Sequence, residues 1–407
     1  MRSTHAGVVI IGGGVLGASA AFHLAEAGVH GVVLLDKGPI ASGTTPFAAG
    51  QTGYLNRDRV ALEFSTYCIE FFERFRDRTG YPIDFRQTGS LRVALTDRYR
   101  TDLKDRQQVA AANGDRVEFL SAGQVQRRVP LLDLPPDAAV LSIPRDGWVE
   151  PKSVAVAFAA AARDRGVSIR TRLPVTRIET RDGSVCAVHT PEGRIETRWV
   201  VLAAGAWTRR LGQDLGLNLP TVPVRHQAFV TAPIAGVLPD QPIVRITEPQ
   251  VYARPEAGGL LVGGYGYRPL SFDMADFPPH FEIAALEADP VGYRQLSAAA
   301  GRFFPCLRDA VVVQERRGLP TISPDGKLLV GEPAGCRGLL VASACAVGGI
   351  DRSPGVGRIV AELVSGKPVW GPATALTVDR FGDDFTEDAG LRAGCEEIYA
   401  HHYHEVY

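Results

Sequence analysis

Apolar residues follow two rhythms along this chain, and each predicts a different element. Val8-Val9-Ile10-Ile11, Val32-Val33-Leu34-Leu35, Val200-Val201-Leu202-Ala203 and Leu339-Leu340-Val341-Ala342 are unbroken runs, as expected of parallel strands covered on both faces. Helical spacing appears over 18–27, over 60–78 (Leu62, Phe64, Tyr67, Ile69, Phe71, Phe75), over 152–165 and over 354–365. Residues 85–141 mix short strands such as 91–95 with polar helical stretch 98–113, and further strands are predicted at 167–172 and 185–190. From Pro220 to about Glu315 the pattern turns to alternating strands broken by Pro and Gly, such as 251–254 and 260–263. That alternation predicts an antiparallel sheet with one face exposed or turned to a cavity. Parallel-strand sequence thus occurs at the start, middle and end, with other material inserted.

The first run leads directly into Gly12-x-Gly14-x-x-Gly17, which opens a helix, and the second run closes on Asp36. A strand, a glycine turn, a helix and an acidic residue 19 positions after the last glycine make a dinucleotide-binding unit. Gly12 allows a tight turn, Gly14 close approach to a pyrophosphate, and Gly17 close helix–strand packing, with the helix N-terminus facing the phosphates. The small and hydroxylated segment Ser42-Gly43-Thr44-Thr45-Pro46-Phe47-Ala48-Ala49-Gly50-Gln51 can wrap such a cofactor through backbone N–H and hydroxyl groups. Ala204-Gly205, after the third run, lets the chain pass close by, and Trp207 packs either in the core or near the cofactor. The predicted architecture is α/β. A Rossmann-like domain in three pieces (1–85, 145–218 and 320–407) carries an inserted substrate domain (86–144 and 219–319) on a mixed or antiparallel sheet.

Composition removes other classes. The 407 residues are 45% hydrophobic and 22% charged, an ordinary globular balance. Forty-four basic residues against 45 acidic ones leave no field to draw nucleic acid or an acidic membrane. Six cysteines lie far apart with no Cys-x-x-Cys pair, so neither zinc spacing nor a disulfide framework is expected. There is no run of about 18 apolar residues and no signal-peptide pattern, so the expected location is the cytoplasm.

A closer resemblance rests on Ser42-Gly43-Thr44-Thr45 with Ala48-Ala49-Gly50, on Pro223-Val224-Arg225-His226-Gln227, and on Gly318-Leu319-Pro320-Thr321-Ile322-Ser323-Pro324-Asp325-Gly326. It continues in Gly349-Ile350 before Ser353-Pro354-Gly355-Val356-Gly357-Arg358, and in Leu391-Arg392, Cys395, Tyr399 and Tyr403. Over nearly its whole length the chain resembles the D-amino-acid-oxidase-type superfamily of FAD oxidoreductases. Within it, the chain is most similar to the dehydrogenase domain of the dimethylglycine and sarcosine dehydrogenase/oxidase group. The resemblance implies FAD contacts from Gly12, Gly14, Val15, Leu16, Gly17, Asp36 and Lys37, then from Ser42, Gly43, Thr44, Thr45, Phe47, Ala49, Gly50 and Gln51. Val175, Ala204, Gly205, Trp207, Gly348, Gly349, Ile350 and Asp351 complete that implied set.

Departures from the family pattern carry information. Pro46-Phe47 stands where relatives with covalent flavin carry Trp-His, and Gly318-Leu319 where monomeric sarcosine oxidases carry a flavin-linking cysteine. Non-covalent FAD is therefore expected. Pro320 replaces the carboxylate-gripping arginine of D-amino-acid oxidases, which leaves Gln51, Arg254 and Arg352 as substrate-binding candidates. The chain ends at Tyr407 without the folate-binding module of many relatives, so a one-carbon product would leave as formaldehyde.

By resemblance His226 and Tyr252 fall at the substrate amine. His226 is either a base with an ordinary pKa near 6.5 or a hydrogen-bonded structural histidine, and Tyr252 either a substrate contact or sheet packing. Lys327 reads as solvated, and His401-His402-x-His404 as a chain end with no metal. The implied reaction is hydride transfer to flavin N5 from the carbon beside a secondary or N-methyl amine or amino acid. Hydrolysis of the imine then completes an oxidative demethylation or deamination, and oxygen or an electron-transfer partner reoxidises the flavin. Oxidation of a 2-hydroxy acid or primary amino acid, tailoring of a larger natural product, and an FAD-carrying regulatory or assembly subunit without turnover stay open beside it.

Overall fold

The computed structural model describes residues 4–56 and 58–401. The four predicted runs lie side by side in a six-stranded sheet, in the order Leu329–Gly331, Leu339–Ser343, Val200–Leu202, Val8–Ile11, Val32–Leu35, Ser168–Arg170. Every pair is parallel except the first, which is antiparallel. Both faces are covered, which is why these strands read as continuous apolar runs rather than alternating ones.

Helices Val15–Glu26, Arg59–Thr79, Pro151–Asp164 and Gly349–Ser365 share one core with one face of that sheet. Phe22, from the first helix, meets Phe71 and Phe75 at centroid distances of 5.9 and 5.5 Å. The other face packs on a four-stranded sheet made of Thr4–His5, Gly193–Glu196, Ser184–Thr190 and Arg177–Arg181. Asp58 caps the Arg59–Thr79 helix by accepting from Ala61 N at 2.8 Å, and Gly80 ends it at φ 77°. The helix expected at 354–365 begins earlier, at Gly349. Pro354 cannot donate to the Ile350 carbonyl, but Ser353 Oγ does so at 2.9 Å, so the proline is tolerated there.

An eight-stranded sheet runs in the order Val312–Gly318, His226–Thr231, Gly259–Gly264, Val251–Glu256, Ile243–Ile246, Ser90–Ala94, Ala139–Ile143, Glu118–Phe119. The sheet is mixed, within the expected mixed or antiparallel architecture: its pairs are antiparallel except that Ile243–Ile246 runs parallel to Ser90–Ala94. Hairpins join only antiparallel neighbours, and these two strands come from separate stretches of chain. Along Val251–Glu256 the side chains alternate. Val251 and Ala253 join a core with Leu296 and Ala300 of the Pro290–Ala300 helix, whereas Tyr252 packs on the opposite face with Tyr265 and Tyr399. Among the described residues no helix is long and apolar enough to cross a membrane.

Candidate active site

The parallel strands end at one edge of their sheet, and the glycine-rich segments follow them there. Gly12 has φ +109°, and a β-carbon on it would lie 2.3 Å from the Ala203 carbonyl oxygen; one on Gly17 would lie 1.9 Å from the Gly12 carbonyl oxygen. Neither position admits another residue. Gly14 precedes the Val15–Glu26 helix, and Val15 N–H donates to Thr45 Oγ1 at 3.1 Å, with Leu16 partly buried behind it. The Asp36 carboxylate accepts from Gly13 N at 2.5 Å and Gly38 N at 2.7 Å, while burial raises its pKa. Lys37 Nζ lies 3.6 Å from the centre of the Trp207 ring and donates to the Phe281 carbonyl at 2.8 Å.

Ser42 is exposed and Gly43 half-buried, whereas Thr44 Oγ1 accepts from Leu319 N at 3.1 Å. Phe47 and Trp207 pack on a cluster that includes Ala206 and Leu319. Val175 and Ala204 flank the core containing Ile11 and Leu35, and Gly205 turns the chain at φ +54°. Gly348 precedes the Gly349–Ser365 helix, and a β-carbon on Gly349 would lie 3.9 Å from Val15 Cγ1, so two helix N-termini converge here. Asp351 is buried in the first turn of that second helix. Backbone without side chains beside two helix N-termini fits the diphosphate of an adenine dinucleotide.

Next to this cradle is a small cavity of about 30 Å³ lined by Ala48, Ala49, Gly50, Gln51, Arg245, Tyr252, Tyr265, Val347 and Ile350. Gly50 takes φ +70°, and a β-carbon there would meet the Val149 carbonyl oxygen at 2.0 Å. Behind Tyr252 its hydroxyl lies 2.8 Å from His226 Nε2, and His226 Nδ1 lies 2.8 Å from the Tyr399 hydroxyl. Tyr265 packs on the same imidazole at 5.2 Å. Gly263, opposite Tyr252 in the sheet, makes room for it, since a β-carbon there would lie 2.1 Å from the phenol oxygen. Burial lowers the His226 pKa to about 4 and pushes the Tyr399 phenol well up, so both are neutral near pH 7. Ala344, Ala346 and Val347 all have positive φ (55°, 43° and 62°), so the loop at the cavity wall is strained.

Of the expected substrate-binding residues, only Gln51 lines the cavity. Arg254 is 1% exposed; it donates to the Ala49 carbonyl at 2.7 Å, pairs with Glu256 at 2.5 Å and lies over Trp148. Its guanidinium supports the cavity wall from behind instead of facing into it. Arg352 lies in the first turn of its helix, half-buried and outside the lining, and Lys327 is exposed. The arginine that does line the cavity is Arg245, paired with Asp146 at 2.9 Å. Its signal was an arginine enclosed by Ile243, Val244 and Ile246, a setting that demands a buried partner. Tyr265 and Tyr399 were not singled out as site residues either. His401 is half-exposed against Glu397, while His402 and His404 lie outside the described residues. No group of three or more metal-binding side chains occurs among the described residues.

A family model described as "FAD dependent oxidoreductase" matches residues 7–363. The chain is 33% identical over 371 residues to mitochondrial dimethylglycine dehydrogenase of Rattus norvegicus, which covers 88% of this chain and 43% of that protein. It is 30% identical over 405 residues to the 4-methylaminobutanoate oxidase (formaldehyde-forming) of Paenarthrobacter nicotinovorans, covering 98% and 49% respectively. The chain thus spans less than half the length of these two relatives. Glycine oxidase from Geobacillus kaustophilus superposes with a TM-score of 0.79 at 28% identity, covering 93% of this chain and 99% of that one.

Proposed function

Because the chain belongs to the FAD-dependent oxidoreductase family, we propose that it oxidises the C–N bond of a secondary or N-methyl amine or amino acid. The substrate loses a hydride from the carbon beside nitrogen, and water hydrolyses the resulting imine to an aldehyde and the dealkylated amine. Bound FAD supplies the hydride acceptor. Similarity to enzymes named for N-methylated substrates supports the substrate class.

The observation that carries the reading is the cavity between the cradle segment 48–51 and the buried Tyr252–His226–Tyr399 chain. A neutral imidazole has one N–H. In the tautomer that donates Nδ1–H to Tyr399, Nε2 accepts the Tyr252 hydroxyl proton and so fixes the orientation of the Tyr252 phenol at the cavity wall. Burial disfavours an imidazolium at His226, which suits it to orienting Tyr252 rather than storing a proton. Phe47 and Gly318 offer no nucleophile to the ring, so the FAD is held without a covalent bond.

Anaerobic mixing of the purified yellow protein with a panel of amines and hydroxy acids tests the reading. Bleaching by N-methylated amino acids, with aldehyde formed on reoxidation, is expected; bleaching by hydroxy acids alone overturns it. Acid precipitation should release the yellow chromophore, and colour retained in the pellet refutes non-covalent binding.

A further inference from the structure

We infer that residues 265–289 form a latched clamp across the adenosine end of the dinucleotide cleft, so that FAD exchanges only when the latch opens. The inference rests on the cradle and on non-covalent FAD, and it holds whichever substrate is oxidised.

The segment is a long excursion between two elements that share one core. It leaves the eight-stranded sheet after the Gly259–Gly264 strand and returns at the Pro290–Ala300 helix. In between it forms only the short turns Met274–Asp276 and Ile283–Ala285. A loop of more than about 15 residues with so little structure of its own is uncommon in a compact fold and is usually functional.

Its neck is tied. Arg268 pairs with Asp289 at 3.2 Å, and the same carboxylate pairs with Arg225 at 2.8 Å. Asp289 also caps the helix, accepting from Val291 N at 3.0 Å and Gly292 N at 3.2 Å. Ser271 N donates to Glu396 Oε1 at 2.8 Å and Phe272 N to the Pro223 carbonyl at 2.9 Å, which holds the first leg as well. Gly266 and Arg268 take φ of +78° and +55°, so the chain turns sharply where it leaves the sheet.

Its tip is stiff and ends against the parallel sheet's loops. In Phe277-Pro278-Pro279-His280-Phe281 the prolines fix two φ angles, and the two phenyl rings meet at 4.2 Å. Both rings pack in one cluster with Phe47 and Trp207. Lys37 Nζ, 3.6 Å from the centre of the Trp207 ring, donates to the Phe281 carbonyl at 2.8 Å and to the Pro279 carbonyl at 3.4 Å. Lys37 comes directly after Asp36, and Asp36 follows the Val32–Leu35 strand, where the acidic residue of a dinucleotide fold meets the adenosine ribose. The contact is therefore a clasp between the chain that carries the ribose site and a loop rooted in the other sheet. Pro278, Pro279 and His280 are exposed, and Phe277 and Phe281 are only partly buried. A tip held this lightly on a neck tied this firmly opens by local release while the rest of the fold stays intact.

The test measures cofactor exchange in both directions. Loss is followed by the return of free-flavin fluorescence on diluting the holoenzyme, and uptake by its quenching when apoprotein meets FAD. Lys37→Met keeps the aliphatic stem over Trp207 and removes the donor. The latch closes one path to entry and exit alike, so uptake and loss should both quicken, each on the order of ten-fold, with Kd little changed. Phe281→Ala, which removes a ring from the tip and leaves Lys37 in place, should do the same. Chymotrypsin should cut after Phe281 on the order of ten-fold faster in Lys37→Met than in the parent, since cleavage follows the open population. Loss that quickens while uptake does not marks Lys37 as a plain cofactor contact and overturns the clamp. Rates and cleavage that the variants leave unchanged overturn it too. Colour that unfolding does not release refutes non-covalent binding instead, and the cleavage rate then decides the latch by itself.

Discussion

His23 offers a test of the helical layer that is independent of catalysis. It lies within the Val15–Glu26 helix, stacked on Phe71 at 5.0 Å and edge-on to Phe22 at 5.2 Å. Its Nδ1 lies 2.8 Å from the Ser19 carbonyl, Nε2 has no partner, and a β-carbon on Gly357 would come within 2.4 Å of the ring. A proton on this imidazole would place a charge among phenylalanines, and burial accordingly lowers the pKa from 6.5 to about 4. Below pH 6.5 the unfolded chain binds a proton that the folded chain refuses, so stability is lost as pH falls through that window and unaffected above it. One pKa unit corresponds to about 1.4 kcal/mol. Integrated from about pH 7.5 to about pH 5, the depression removes roughly 2 kcal/mol at His23. His226, with the same depression, adds a similar loss. His23→Leu keeps an apolar side chain in the layer and deletes the titration. Urea unfolding near the two pH values, for parent and variant, should show an acid-induced loss smaller by roughly 2 kcal/mol in the variant. An identical loss in both refutes the assignment of a buried neutral histidine.

Gly12→Ala drives a β-carbon into the Ala203 carbonyl from a φ of +109°, so the protein should purify colourless and fail to take up added FAD, read from its visible spectrum. Tyr252→Phe keeps the ring and removes the hydroxyl that His226 orients; anaerobic bleaching by the substrate should slow on the order of a hundred-fold. Glu256→Gln removes the carboxylate shared by Arg254 and Arg316, and thermal or urea unfolding should show a loss of about 3 kcal/mol.

The dinucleotide half was legible because its information is local. Apolar runs, glycines and Asp36 each act on chain a few residues away or on the neighbouring strand, and the collisions awaiting side chains at Gly12 and Gly17 are of that kind. The substrate half depends on register. Alternation along Val251–Glu256 correctly assigns Tyr252 and Arg254 to one face, but it cannot say which arginine reaches the cavity. Glu256 and the Ala49 carbonyl hold Arg254 behind the wall, while the pairing of Ile243–Ile246 with Val251–Glu256 sets Arg245 opposite Tyr252. Asp146, which pins Arg245, comes from a turn after Ala139–Ile143, and Tyr399 from the Asp388–Ala400 helix. No spacing within a single segment announces either meeting. The cradle is constrained by backbone shape, which a local glycine pattern announces, whereas a change in one cross-strand partner reassigns the charge at the cavity wall without disturbing the fold.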